Sequence, residues 1–156
     1  MSKPKSWEIP RLSPKKDLSY SAKTVLKQRL NCLLTIINKY LTNTNSKNLH
    51  AVRISLRRVR YPMELFLSCF DRKKYLNFYK AISKLQDLSG EVRDMEIFTN
   101  NISVYFVDDP LIKQKIFTNQ FEGNKERLQS KLKLEIMKFV HGKNLKELNR
   151  MIKNHV

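Results

Sequence analysis

Three features of the 156-residue sequence predict an all-α protein, an antiparallel helical bundle of long amphipathic helices with a basic surface. Apolar residues recur at steps of three and four over most of the chain, the spacing that gathers them on one side of a helix. Only 3 glycines and 5 prolines interrupt it, and the commonest residues are good helix formers, which argues against barrels, sandwiches and low-complexity chains. The balance of 31 Lys+Arg against 14 Asp+Glu gives a formal charge of +17, so the faces left outside the core are basic. At 41% apolar residues the chain can bury a core despite that charge.

Residues 1–16 carry Pro4, Pro10, Pro14 and five basic residues without a hydrophobic period, and are expected to be a flexible basic arm ahead of a helical domain over 17–156. Asp17 or Ser19 can cap the first helix, whose stripe is Ala22, Leu26, Leu30, Leu33, Ile37, Tyr40 and Leu41. The polar run 42–46 ends it, and Asn45 or Ser46 can cap an antiparallel return. The second helix is expected from Lys47 to Phe70, with Val52, Leu56, Val59, Met63, Phe66 and Phe70 facing the core. Pro62 cannot donate to the carbonyl of Arg58, which predicts a kink or two coaxial pieces.

After Asp71-Arg72, a third helix carries Tyr75, Phe78, Ile82, Leu85 and Leu88, with Gly90 placed to break or bend it. A fourth, from Glu91 through Val92, Met95, Phe98, Ile102 and Tyr105, is ended by Asp108-Asp109-Pro110. The rest reads as a long helix with Ile116, Phe121, Leu128, Leu132, Ile136 and Phe139, a break at His141-Gly142-Lys143 and a short terminal helix. Gly123 weakens the middle of that segment.

Cys32 and Cys69 lie in apolar helical patterns without metal-ligand spacing, and read as small buried hydrophobes in a reducing compartment. The longest nearly apolar run, Leu30–Ile37, is too short to cross a bilayer. With no secretion signal visible near the N-terminus, a cytoplasmic protein is expected.

The second helix carries another stripe, His50, Arg53, Arg57 and Arg60, spaced three, four and three, with Arg58 beside it. Like charges at these spacings repel one another unless an anion or an acid neutralises them, and Glu64 is the nearby acid. A solvated face would mix signs, and arginine suits bidentate contact with phosphate oxygens better than lysine does. His50 reads either as a histidine hydrogen-bonded within the bundle or as an anion contact. In the run Leu85-Gln86-Asp87-Leu88-Ser89-Gly90-Glu91-Val92-Arg93-Asp94, Arg93 is expected to face a ligand and Asp94 to be structural. Lys47 and Lys84 could widen the same surface.

Together, the run from His50 through Arg53, Arg57, Arg58 and Arg60 to Tyr61, then Glu64-Leu65-Phe66, then Leu85 to Asp94 resemble the CHAD family, the conserved histidine α-helical domain. The likeness covers about 45 residues strongly, Leu49 to Asp94. It implies antiparallel helical bundles with a basic surface that binds inorganic polyphosphate, in prokaryotes often at polyphosphate granules or beside triphosphate-processing domains. Carried over by residue, His50 matches the namesake histidine, Arg53, Arg57, Arg58 and Arg60 the basic helix positions, and Arg93 with Asp94 the second motif. Two departures stand out. The family usually has two related bundles, whereas this chain shows one clear copy, so the surface is either halved or completed in a homodimer. Ser89 also stands where leucine is common.

The functional expectation is therefore a non-enzymatic polyphosphate-binding module without cofactor or metal. The alternative is a nonspecific nucleic-acid-binding protein, because +17 attracts any polyanion, although no helix-turn-helix, zinc-finger or aromatic RNA-binding motif is visible. Catalysis on phosphate chains would normally call for clustered acids to hold magnesium. The pair Asp108-Asp109 is explained by the helix boundary before Pro110, and no phosphate-binding glycine loop is visible.

Overall fold

Two short polar connections turn the first apolar stripes toward each other. In the computed structural model, which describes residues 15–105 and 113–153 except the side chains of 103–105 and 113–118, helix α1 spans Leu18–Thr42 and α2 spans Ser46–Leu65. Asp17 is the N-cap residue of α1, although its side chain makes no capping bond. Between α1 and α2, the Asn45 side chain accepts from the Asn48 backbone N–H at 2.7 Å, and the buried Asn48 amide donates to the Asn43 carbonyl at 2.7 Å. The turn thus satisfies groups that a helix start leaves unpaired.

A 3₁₀ turn at Leu67–Cys69 leads to α3, Arg72–Tyr105, followed by α4, Lys113–His141, and α5, Lys143–Lys153. Asp71 starts α3 by accepting the Lys74 N–H at 3.0 Å. No strand occurs among the described residues. Contacts between Ser46 and Arg93 and between Glu64 and Tyr79 set α2 antiparallel to α3. The ring pairs Phe78–Phe139 and Phe98–Phe121 do the same for α3 and α4. Helix α5 packs on α3 and α1.

The core follows the sequence stripes. Leu26, Leu30, Leu33, Ile37 and Tyr40 of α1 meet Val52, Leu56, Val59 and Met63 of α2 in one buried cluster. Tyr75, Phe78, Ile82, Leu85, Leu88 and Val92 of α3 join it, with Leu132, Ile136 and Phe139 of α4. Leu145, Leu148 and Ile152 of α5 close the open side. None of the helices is long and apolar enough to cross a membrane, among the described residues.

Several expectations are corrected. Gly90 neither breaks nor bends the chain into two helices: α3 runs through it for 34 residues, because burial on both sides outweighs the roughly 1 kcal/mol that an interior glycine costs. Gly123 likewise lies inside α4. Helix α2 is one piece through Pro62 but stops at Leu65, not Phe70, with the Phe66 N–H bonded to the Pro62 carbonyl. Phe70 is therefore past the helix and stacks on Tyr75, ring centroids 4.7 Å apart. Cys32 is exposed and Cys69 half-buried. Phe98, 46% exposed, is on the α3 stripe but past the reach of α2. The break at 141–143 is as expected: a Cβ on Gly142 would come within 2.7 Å of the Lys138 carbonyl oxygen, so the close approach needs glycine. The arm segment 1–14, the Asp108-Asp109-Pro110 boundary and His155 lie outside the described residues, as do the side chains of Tyr105 and Ile116.

At Gly90 an added Cβ would meet nothing closer than Arg53 Nη2, at 4.0 Å. Gly90→Ala is therefore expected to raise stability by about 0.5–1 kcal/mol, read as a higher midpoint in urea or thermal unfolding followed by circular dichroism.

Candidate functional site at the α2–α3 cleft

A helix advances 100° per residue, so the basic residues of α2 divide into two groups. Arg53, Arg57 and Arg60 lie on the side toward α3, with His50 exposed at the outer end of the same stripe, whereas Lys47 and Arg58 are turned farther round the helix and are exposed. His50 is thus placed on the outer surface rather than within the bundle. Arg53 and Arg57, one turn apart, form one wall of a cleft of about 350 Å³, and Gln86, Asp87, Gly90, Glu91 and Asp94 of α3 form the other. Gly90 gives this wall its low point, since no side chain stands between the α3 backbone and the Arg53 guanidinium. Among the described residues no ion pair joins Arg53 or Arg57 to the carboxylates opposite. Their guanidinium donors can therefore serve an incoming oxyanion.

Arg60, Arg93 and Lys84 are already engaged. Arg60 pairs with Glu64 at 3.1 Å, and Glu64 also accepts from the Tyr79 hydroxyl at 2.7 Å, a bond that raises the Tyr79 pKa. Arg93 donates to Ser46 Oγ and to Glu96, 3.2 Å away. It ties the start of α2 to α3 instead of lining the cleft, while Asp94, expected to be structural, is exposed on the cleft wall. The reason is the 100° between neighbours: Arg93 looks along the α2 contact and Asp94 falls on the outer stripe. Glu96 is buried near Tyr40, whose hydroxyl is pushed up to about 12 by burial and by the Glu96 charge.

Lys84 lies across α3 from the arginines and pairs with Glu135 of α4 at 2.7 Å, where Lys138 also bonds at 3.0 Å. These two bonds, Lys84's first, hold the Glu135 carboxyl below the usual carboxylate range. Ser89, in the position usual for leucine, is fully buried and its hydroxyl donates to the Gln86 carbonyl at 2.8 Å. Three cleft residues carry no signal of their own in the sequence: Gln86, Asp87 and Glu91. Their three-to-four-residue spacing with Gly90 and Asp94 already puts them on one α3 face. Among the described residues no group of three or more His, Cys, Asp and Glu could hold a metal ion.

Arg93→Ala is expected to lower stability by about 2 kcal/mol, because it leaves the buried Glu96 carboxylate unpaired, whereas removal of an arginine that only met ligand would change it by less than about 0.5 kcal/mol. Urea denaturation reads the difference. The lowered pKa of Glu135 adds stability that is fully present above about pH 4.3 and is lost as pH falls through the lower folded-state value. Glu135→Gln should therefore unfold more easily than wild type at pH 7, by at most about 1 kcal/mol, with the two curves converging near pH 2.

Comparison with known proteins agrees with the fold and motifs. The family model for the CHAD domain matches residues 4–101, a span that takes in α1, α2, both walls of the cleft and part of the N-terminal segment. No curated protein and no solved structure matches the chain. With nearly two-thirds of its length matched, including every residue of the arginine cleft, the chain belongs to the CHAD family.

Proposed function

We propose that the protein binds inorganic polyphosphate through the basic side of α2 and that it does so without catalysis. The observation that carries this reading is the pair Arg53 and Arg57, set one turn apart on a cleft wall and not neutralised by an ion pair among the described residues. A helix that holds two such charges in register stabilises itself when an anion neutralises both. A linear phosphate polymer offers oxyanions in series, so the two guanidinium groups can each take a separate phosphate while Lys47, His50 and Arg58, exposed on the same helix, add donors along the outer edge. Membership of the CHAD family supports the same ligand class. A site of this kind needs no hydrolytic group, and association would place the protein wherever the polymer accumulates, including polyphosphate granules in the cytoplasm.

Titration calorimetry with long-chain polyphosphate at several salt concentrations tests the reading. Arg53→Ala/Arg57→Ala is expected to lose affinity on the order of 100-fold, and its log–log salt slope should be shallower by about 1.5 than that of wild type, two fewer phosphate contacts at roughly 0.7–0.9 each. An unchanged slope would place the polymer elsewhere on the molecule, and equal affinity for duplex DNA in competition would favour the nucleic-acid alternative.

A further inference from the structure

The outer stripe of α3 changes sign at its middle. Lys73, Asn77, Lys80, Lys84, Asp87, Glu91 and Asp94 follow one another at steps of three and four, and all seven are exposed. The acidic half is the part opposite Arg53 and Arg57. Asp87 and Glu91 also line the neighbouring cleft on the α4 side, together with Lys84 and Lys131, so they form a ridge of negative charge between two basic clefts. For a protein with an excess of seventeen positive charges, three consecutive acids beside the anion-binding arginines work against general polyanion affinity. They make no ion pair that would explain them structurally, among the described residues.

We infer that Asp87, Glu91 and Asp94 are specificity-determining residues that exclude double-stranded nucleic acid from the arginine cleft while admitting a single phosphate chain. This inference rests on the polyphosphate reading. Its warrant is dimensional. Arg53 reaches across to the α3 backbone at Gly90, whereas Arg57, His50 and Arg58 leave exposed donors along α2, and the acidic ridge forms the opposite wall. A duplex seated with one strand on Arg53 and Arg57 carries its second strand across a groove about 6 Å or about 12 Å wide. That strand's phosphates then fall over or near the three carboxylates, and like charges meet. An unpaired phosphate chain has no second strand, follows the α2 side and leaves the ridge in water. Repulsion placed against the wrong ligand is a common source of discrimination.

The test compares two variants with equal net charge. Asp87→Asn/Glu91→Gln/Asp94→Asn removes the ridge, and Asp17→Asn/Glu122→Gln/Glu126→Gln removes three exposed acids away from the cleft. Binding of a 20-base-pair duplex and of long-chain polyphosphate is measured by fluorescence anisotropy competition at low ionic strength, with circular dichroism as the control for folding. The ridge variant should gain about tenfold in duplex affinity and about twofold in polyphosphate affinity, since the like-charge contacts with a second strand vanish for the duplex alone. The control variant should gain about equally for both ligands. Glu91→Gln alone, at one exposed position, should move the same ratio by about twofold. Equal gains for both ligands in the ridge variant would overturn the inference and leave the polyphosphate reading standing. A wild type that fails to bind polyphosphate would overturn both.

Discussion

The antiparallel packing of α2 against α3 is the constraint from which the rest of the molecule follows. It is pinned at both ends by polar contacts, Arg93 to Ser46 at one end and Tyr79 to Glu64 at the other. Between them the apolar stripes of both helices are buried. With the ends fixed, the middle has one register, and in that register the Arg53 guanidinium lies over the one α3 position that has no side chain. A shift of one turn would put Arg53 against Gln86 or Arg93 instead of Gly90. The cleft is thus a by-product of a core interface, and its arginines are held by a scaffold that does not depend on ligand.

Most of that scaffold was legible in the sequence because burial and helical period coincide. The α1 stripe from Ala22 to Tyr40 is buried as its spacing requires, and Asn45 caps α2 as its position before a periodic run implies. What was not legible was set by tertiary context. Gly90 has the local look of a helix end, and a single chain segment cannot say that Leu88 and Val92 on either side are both buried against other helices. Phe70 continues the α2 stripe on paper, yet Pro62 leaves the last turn too weakly bonded to carry the helix that far.

The site was legible by halves. The row on α2 could be read from spacing alone, because all its members share one helix. The roles of Arg93 and Asp94 could not, since they depend on which side of α3 meets α2, and that is decided by residues such as Ser46, 47 positions away. Lys84 presents the same difficulty: its partner Glu135 is on another helix, beyond any local pattern. Charge count also hid the acidic ridge, because three acids barely register in a chain with 31 Lys+Arg.

The sign change along α3 has a kinetic side. Its lysines gather toward the helix N-terminus and its acids farther along, the reverse of what the backbone dipole favours. The side-chain charges therefore give the exposed face its own electric polarity. For a polyanion of the kind proposed, the Lys73–Lys80 end would attract and the Asp87–Asp94 end repel, so encounters would begin with a preferred orientation. Contact formed at that end can then spread over α2 by local sliding, and the rate of capture, more than its final strength, would be the quantity most sensitive to ionic strength.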